Sequence, residues 1–76
     1  MNTIQTGQRS DELLNDPVIQ TALELVETTL INEWKSAQST EVREELWYTL
    51  QGQTRFKHTL QIAIDNGKFE LTQQES

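Results

Sequence analysis

The chain has 76 residues, with twelve acidic and six basic side chains, no cysteine and a formal net charge of −6. A chain of this length forms a single domain that buries only about 60% of its unfolded surface, and small domains usually gain stability from disulfides, metal sites or oligomerisation. The absence of cysteine excludes disulfides, and the negative charge disfavours direct binding to nucleic-acid phosphate.

Residues 1–9 are polar and contain a single branched aliphatic residue, Ile4. Such a segment buries too little apolar surface to offset its ordering entropy, so we predict a flexible N-terminal arm. The segment also lacks the apolar core of a secretory signal, which favours a cytoplasmic location. Ser10 can accept hydrogen bonds from the amides that follow it, so residues 10–15 are a candidate for a short helical turn.

A long helix is predicted to begin at Asp16-Pro17, because aspartate caps free amides and proline suits the first helical position. The apolar residues that follow are spaced three or four apart, which places them on one side of a helix. This stripe consists of Ile19, Leu23, Val26, Leu30, Trp34 and Ala37, and it is widened by Val18, Ala22, Leu25 and Ile31.

A polar link over residues 36–40 precedes a second long helix, which Ser39 or Thr40 can cap. Asn66-Gly67 predicts a glycine C-cap at its end, and residues 72–76 are predicted to be a flexible tail. The apolar stripe of this helix contains Val42, Leu46, Leu50, Phe56, Leu60 and either Ala63 or Ile64, with Trp47, Tyr48 and Ile62 outside it.

Two helices joined by about three to five residues run antiparallel. The sequence therefore predicts an all-α, coiled-coil-like antiparallel helical hairpin over residues 10–71. The predicted core consists of Leu23, Val26, Leu30, Leu46, Leu50, Phe56 and Leu60. The hairpin carries more apolar surface than two helices can cover, so we expect it to complete a bundle as a homodimer or higher oligomer.

Gly52 is the most unexpected residue of the second helix, because glycine inside a helix costs roughly 0.5–1 kcal/mol relative to alanine. It lies one turn from both Tyr48 and Phe56, so it is either a slot for a partner helix or a tolerated kink. Trp47 and Tyr48 point about 100° apart, so one of them is a candidate exposed anchor. The predicted partner-binding residues are Trp47, Tyr48, Gly52, Phe56 and Ile62.

The residues of a catalytic, cofactor or metal site are missing from the sequence. His58 is the single histidine, and without a second histidine or cysteine it is expected to be a surface residue. We therefore expect neither an enzyme nor a metalloprotein. Apolar runs are also shorter than the ~20 residues that cross a bilayer, so a membrane role is not expected.

An alternative function starts from Glu41, Glu44 and Glu45, whose carboxylates could imitate phosphates. A protein with such a surface could inhibit a nucleic-acid-binding enzyme by occupying its basic groove. The position of these residues at a helix start also explains them without any function, because acidic side chains are favourable at the positive end of the helix dipole.

Several short motifs follow one another between residues 16 and 68: Asp16-Pro17, Glu33-Trp34-Lys35, Arg43-Glu44-Glu45-Leu46-Trp47 and Asn66-Gly67-Lys68. In these motifs the chain resembles short phage-encoded helical-hairpin accessory proteins. The resemblance implies a viral protein of the host cytoplasm that takes part in particle assembly or binds a host protein, and it implies no catalytic residues. A subunit that becomes ordered only on a larger assembly is a further possibility.

Overall fold

A computed structural model describes residues 1–75, and these residues form three α-helices. Helix α1 covers Thr3–Leu14, α2 covers Pro17–Ser36 and α3 covers Thr40–Glu75. Residues 1–75 contain no strand, so the prediction of an all-α fold is confirmed. Ser76, the last residue of the predicted tail, lies outside the described residues, whereas the part of that tail before it belongs to α3.

Helix α1 replaces the predicted flexible arm and the short turn after it. Its start is a capping box, in which the Asn2 side chain accepts from the Gln5 amide at 2.8 Å and the Gln5 side chain accepts from the Asn2 amide at 3.2 Å. Ser10 is not a cap but lies inside α1, where its buried hydroxyl donates to the Thr6 carbonyl at 2.7 Å.

The predicted starts of the two long helices are confirmed. The Asp16 carboxylate accepts from the Val18 and Ile19 amides at 2.8 and 3.2 Å, and Pro17 is the first residue of α2. The Ser39 hydroxyl accepts from the Val42 amide at 3.2 Å at the beginning of α3.

The predicted end of the second long helix is wrong, because α3 continues through Gly67 to Glu75. A glycine C-cap requires a left-handed backbone, but Gly67 has no positive φ and is buried against α1. Gly67 therefore lies inside α3 and allows this helix to approach α1 closely.

Apart from Ala63, the buried and half-buried residues of α3 recur at alternating steps of four and three, which is the seven-residue repeat of a coiled-coil seam. Both α1 and α2 pack against this helix. The seam consists of Leu46, Leu50, Gln53, Lys57, Leu60, Ile64 and Gly67.

The contacts along this seam follow an antiparallel order. The Arg43 guanidinium lies 5.4 Å from the centre of the Trp34 ring, and the Gln53 amide donates to the Leu23 carbonyl at 2.8 Å. Further along α3, Gly67 lies beside Gly7 of α1. The molecule is 57 Å long, and its radius of gyration of 16.5 Å exceeds the roughly 11 Å of a compact domain of this length.

The tightest packing lies where α1 crosses α3, rather than in the predicted core. A Cβ atom on Gly7 would lie 2.7 Å from the Ala63 carbonyl oxygen and 3.0 Å from the Gly67 Cα, so the two backbones touch. Ile64 lies at this crossing and is 4% exposed. Among residues 1–75 it is the one large apolar side chain that is enclosed enough to count as buried.

The predicted core is only partly enclosed. Its leucines are half-buried along the α2–α3 seam, whereas Val26 and Phe56 are exposed. The sequence pattern placed the buried side of the helix about one residue away from its true position. Phe56 lies beside the seam, and the neighbouring seam position is Lys57. These two residues therefore belong to the surface of the single chain.

Candidate functional site

The surface is large for a chain of this mass, and many large apolar side chains lie on it. The chain has 6016 Å² of accessible surface, about 1,200 Å² more than the roughly 4,800 Å² of a compact 8.8 kDa monomer. Large exposed apolar patches on soluble proteins mark interaction sites. The exposed large apolar residues are Met1, Leu13, Val18, Leu25, Val26, Trp34, Val42, Trp47, Tyr48, Phe56, Ile62, Phe69 and Leu71.

One apolar groove lies between α2 and α3 near the end of α1. It is lined by Leu13, Ile19, Ala22, Leu23, Val26, Phe56 and Leu60. Val18 and Leu25 lie one turn before and after Ala22 on the same side of α2, where they are 75% and 65% exposed. The outer surface of this region, called the apolar face below, consists of Leu13, Val18, Ala22, Leu25, Val26 and Phe56.

Uncharged residues adjoin the apolar face on the two helices. Thr29 follows Val26 by one turn on α2, and Thr49 precedes Phe56 by two turns on α3. Gly52 lies between Thr49 and Phe56, one turn from each. The uncharged stretch is short, because the exposed Glu33 follows Thr29 by one turn on α2 and the exposed Glu45 precedes Thr49 by one turn on α3.

A second groove lies near the α2–α3 link and is lined by Leu30, Ile31, Trp34, Lys35, Leu46, Trp47 and Leu50. Ile31 follows Ala22 by nine residues, or half a turn round the helix, so this groove opens on the other side of the pair. Charged residues occupy that side, including the Glu27–Lys57 ion pair at 3.8 Å. The side is therefore mixed in character.

The aromatic residues near the link contact one another. The Trp47 and Tyr48 ring centres are 5.2 Å apart, with an interplanar angle of 73°, and both rings are exposed. This edge-to-face geometry suits the ring quadrupoles. Of the two candidate anchors, neither is enclosed by the chain, and Trp34 is also exposed under the Arg43 guanidinium.

The predicted partner-binding residues do not form one cluster. Trp47, Tyr48 and Gly52 line one open groove on α3 with Arg55 and His58, whereas Phe56 lines the groove between α2 and α3. Ile62 is exposed elsewhere on α3. A Cβ on Gly52 would meet no atom within 4 Å, so Gly52 lies on open surface rather than in a walled notch.

A polar layer interrupts the seam, and the sequence analysis missed it. The Gln53 amide nitrogen donates to the Leu23 carbonyl, while the Gln53 Oε1 atom is buried without a hydrogen-bond partner. A buried acceptor without a partner costs about 1–3 kcal/mol. The signal that could have revealed this residue is the seven-residue repeat, which places Gln53 between Leu50 and Lys57 on the seam.

Replacing Gln53 with leucine is expected to raise the free energy of unfolding by about 1–2 kcal/mol, because it removes the unpaired oxygen and adds apolar contact on the seam. For a chain of this size the melting temperature should rise by about 4–8 °C per kcal/mol in circular-dichroism melts. Gln51→Leu, at an exposed neighbouring position, is the control and should change it little. A lower melting temperature for the Gln53 variant would contradict this account of the layer.

The acidic residues of the alternative function, Glu41, Glu44 and Glu45, are all exposed at the start of α3. His58 is exposed as well. Within residues 1–75, no three or more histidine, aspartate or glutamate side chains are grouped so that they could hold a metal ion.

Comparisons with known proteins add no family to this description. No protein-family model, curated protein or solved structure matches the chain. Among the described residues, no helix combines the length and the apolar character needed to cross a membrane. The apolar surface is thus the feature on which a functional proposal can be based.

Proposed function

We propose that the chain is a noncatalytic protein-interaction module that self-associates, most simply as a twofold dimer of helical hairpins that forms a four-helix bundle. The observation that carries this proposal is the number of large apolar side chains that remain exposed, on a chain whose total accessible surface is about 1,200 Å² above that of a compact monomer. A standard interface removes about 800 Å² from each partner, so one such contact would account for most of the excess.

The weakness of the core supports the same proposal. Ile64 is the buried apolar side chain of the described residues, and the leucines of the α2–α3 seam are only half-buried. A second copy would cover these leucines from outside and extend the core across the interface. The resemblance of residues 16–68 to phage accessory proteins supports an assembly role for such a module, with a virion or host protein as a further partner.

Self-association through apolar surface is expected to persist at high salt. Two chains of net charge −6 repel each other, and 1 M salt reduces the Debye length to about 3 Å and removes this repulsion. Size-exclusion chromatography with light scattering at 0.1 and 1 M NaCl should therefore give the dimer mass at both concentrations.

The same experiment separates this proposal from an acidic inhibitor. Binding of the exposed carboxylates to a basic groove weakens steeply with salt. A chain that is monomeric at both salt concentrations, or a dimer that dissociates at 1 M NaCl, would contradict the apolar module.

A further inference from the structure

We infer that two copies of the chain also meet through the side of α3 that faces away from α1 and α2, with their two α3 helices antiparallel. In this contact Tyr48 of each copy packs against Gly52 of the other, and Glu45 of each copy pairs with Arg55 of the other. The contact goes beyond the proposed bundle, because it uses a separate side of α3 and does not depend on the bundle.

The outer side of α3 has a seven-residue repeat of its own. Tyr48 lies two residues from Leu46 and two from Leu50, and two residues correspond to about 200° around a helix, so Tyr48 points away from the seam. Exposed residues continue from Tyr48 at steps of four and three, which is the spacing at which one helix pairs with another. This outer stripe consists of Glu45, Tyr48, Gly52, Arg55, Thr59 and Ile62, and all six residues are exposed.

The charges on the outer side of α3 are divided along the helix. The acidic residues Glu41, Glu44 and Glu45 are exposed at its start, whereas residues 46–64 contain no acidic residue and include Arg55 on the outer stripe. Two parallel α3 helices would place the acidic starts together, where they repel. Two antiparallel helices place the acidic start of each against the basic part of the other, so the charges select the antiparallel arrangement.

The positions of four residues fix the register of this contact. Glu45 and Arg55 lie five residues on either side of residue 50, and Tyr48 and Gly52 lie two residues on either side of it. A twofold axis at residue 50 therefore aligns Glu45 with Arg55 and Tyr48 with Gly52 at the same time. Because a twofold contact brings one surface against its own copy, this self-complementary pattern identifies the partner as a second copy of the chain.

The aromatic ring and the glycine complement each other in shape. A Cβ on Gly52 would meet no atom of its own chain within 4 Å, so the backbone of α3 is open at this position to a side chain from outside. Tyr48 is 66% exposed, and its ring is held in edge-to-face contact with Trp47, with 5.2 Å between the ring centres. A ring that is already held loses little conformational entropy when it is covered. The contact thus gives Gly52 a role that packing within one chain does not.

This contact is expected to be weaker than the apolar contact of the bundle. Its polar pairs lie at an exposed surface, where ion pairs contribute little. We therefore expect it to join chains or bundle dimers at about 1 mM, where a dissociation constant in that range populates it, and not at micromolar concentration.

The test is sedimentation velocity near 1 mM of the wild-type chain, of Arg55→Glu, of Glu45→Arg and of an equimolar mixture of the two variants. The wild-type chain should form a species larger than the one present at micromolar concentration. Each variant alone places like charges together twice across the axis, which is expected to weaken this association by about tenfold or more. The mixture replaces both like pairs with opposite pairs, so the larger species should return.

The two variants control for each other. Arg55→Glu makes the net charge of −6 more negative by two, and Glu45→Arg makes it less negative by two, so a loss in both does not come from overall repulsion. Both residues are exposed, so neither change should disturb the fold, which far-ultraviolet circular dichroism checks.

The outcomes separate this contact from the proposed bundle. The α3 contact is wrong if the wild-type chain gains no mass near 1 mM, if either variant associates as the wild type does, or if the mixture stays as small as its components. None of these results affects a dimer seen at micromolar concentration. A wild-type chain that is monomeric at micromolar concentration, but gains mass near 1 mM in this charge-dependent way, would support the α3 contact and contradict the bundle.

Discussion

Replacing Gly7 with alanine is expected to undock α1 from α3 and to lower the free energy of unfolding by about 1–3 kcal/mol, as overpacking does in other cores. The added Cβ would lie 2.7 Å from the Ala63 carbonyl oxygen and 3.0 Å from the Gly67 Cα. Both are backbone atoms of α3, so a rotamer change cannot relieve the clash. An undocked α1 of 12 residues is too short to remain helical in water.

Amide hydrogen exchange measures this result directly. In Gly7→Ala the amides of α1 should lose protection while those of the middle of α3 retain it. Gly52→Ala is the matched control, because a Cβ there meets no atom within 4 Å and the change adds about 0.5–1 kcal/mol of helix propensity. Protected α1 amides in Gly7→Ala would show that the two helices do not cross at these glycines.

Replacing Ile64 with alanine is expected to lower the free energy of unfolding by about 2–5 kcal/mol, the usual range for truncating a buried isoleucine. Ile64 is 4% exposed, and it lies between Ala63 and Gly67 where α1 crosses α3. The structure offers little other buried apolar surface at this crossing to compensate for the lost contacts.

Urea unfolding at a fixed protein concentration gives this value. Ile62→Ala is the control, because it removes the same atoms from a side chain that is 45% exposed on the same helix. Equal losses for the two variants would mean that the crossing of α1 and α3 is not the best-packed part of the chain.

The features that depend on neighbouring residues could be predicted from the sequence. Asp16-Pro17 and Ser39 mark the starts of α2 and α3 because their side chains bond amides two or three residues away. The three- and four-residue spacing of apolar residues predicts the all-α fold for the same reason. These signals require no information about the rest of the molecule.

The features that depend on contact between distant segments could not be predicted in this way. Gly7 lies in a polar segment whose helix is stabilised by docking on α3, and Gly67 matches a C-cap by its residue type alone. The seven-residue repeat of α3 passes through Gly67, and that regularity is the signal that the helix continues.

The candidate site shows the same division. An exposed position for Trp47, Tyr48 or Ile62 follows from their distance from the seam, and the structure exposes all three. Which of these residues share a side of the molecule depends on the position of the seam on each helix, and that position must be known to within about one residue. A shift of one residue turns a side chain by about 100°, which is why Phe56 and Val26 were predicted as core and lie on the apolar face.

Sedimentation equilibrium of the unmodified chain at micromolar concentration tests the central claim most directly. The claim is that a single copy exposes more apolar surface than it can stably leave in water, so that a second copy covers it. We predict a mass of twice the 8.8 kDa of one chain. A mass of 8.8 kDa for a fully helical chain that melts cooperatively would contradict the account.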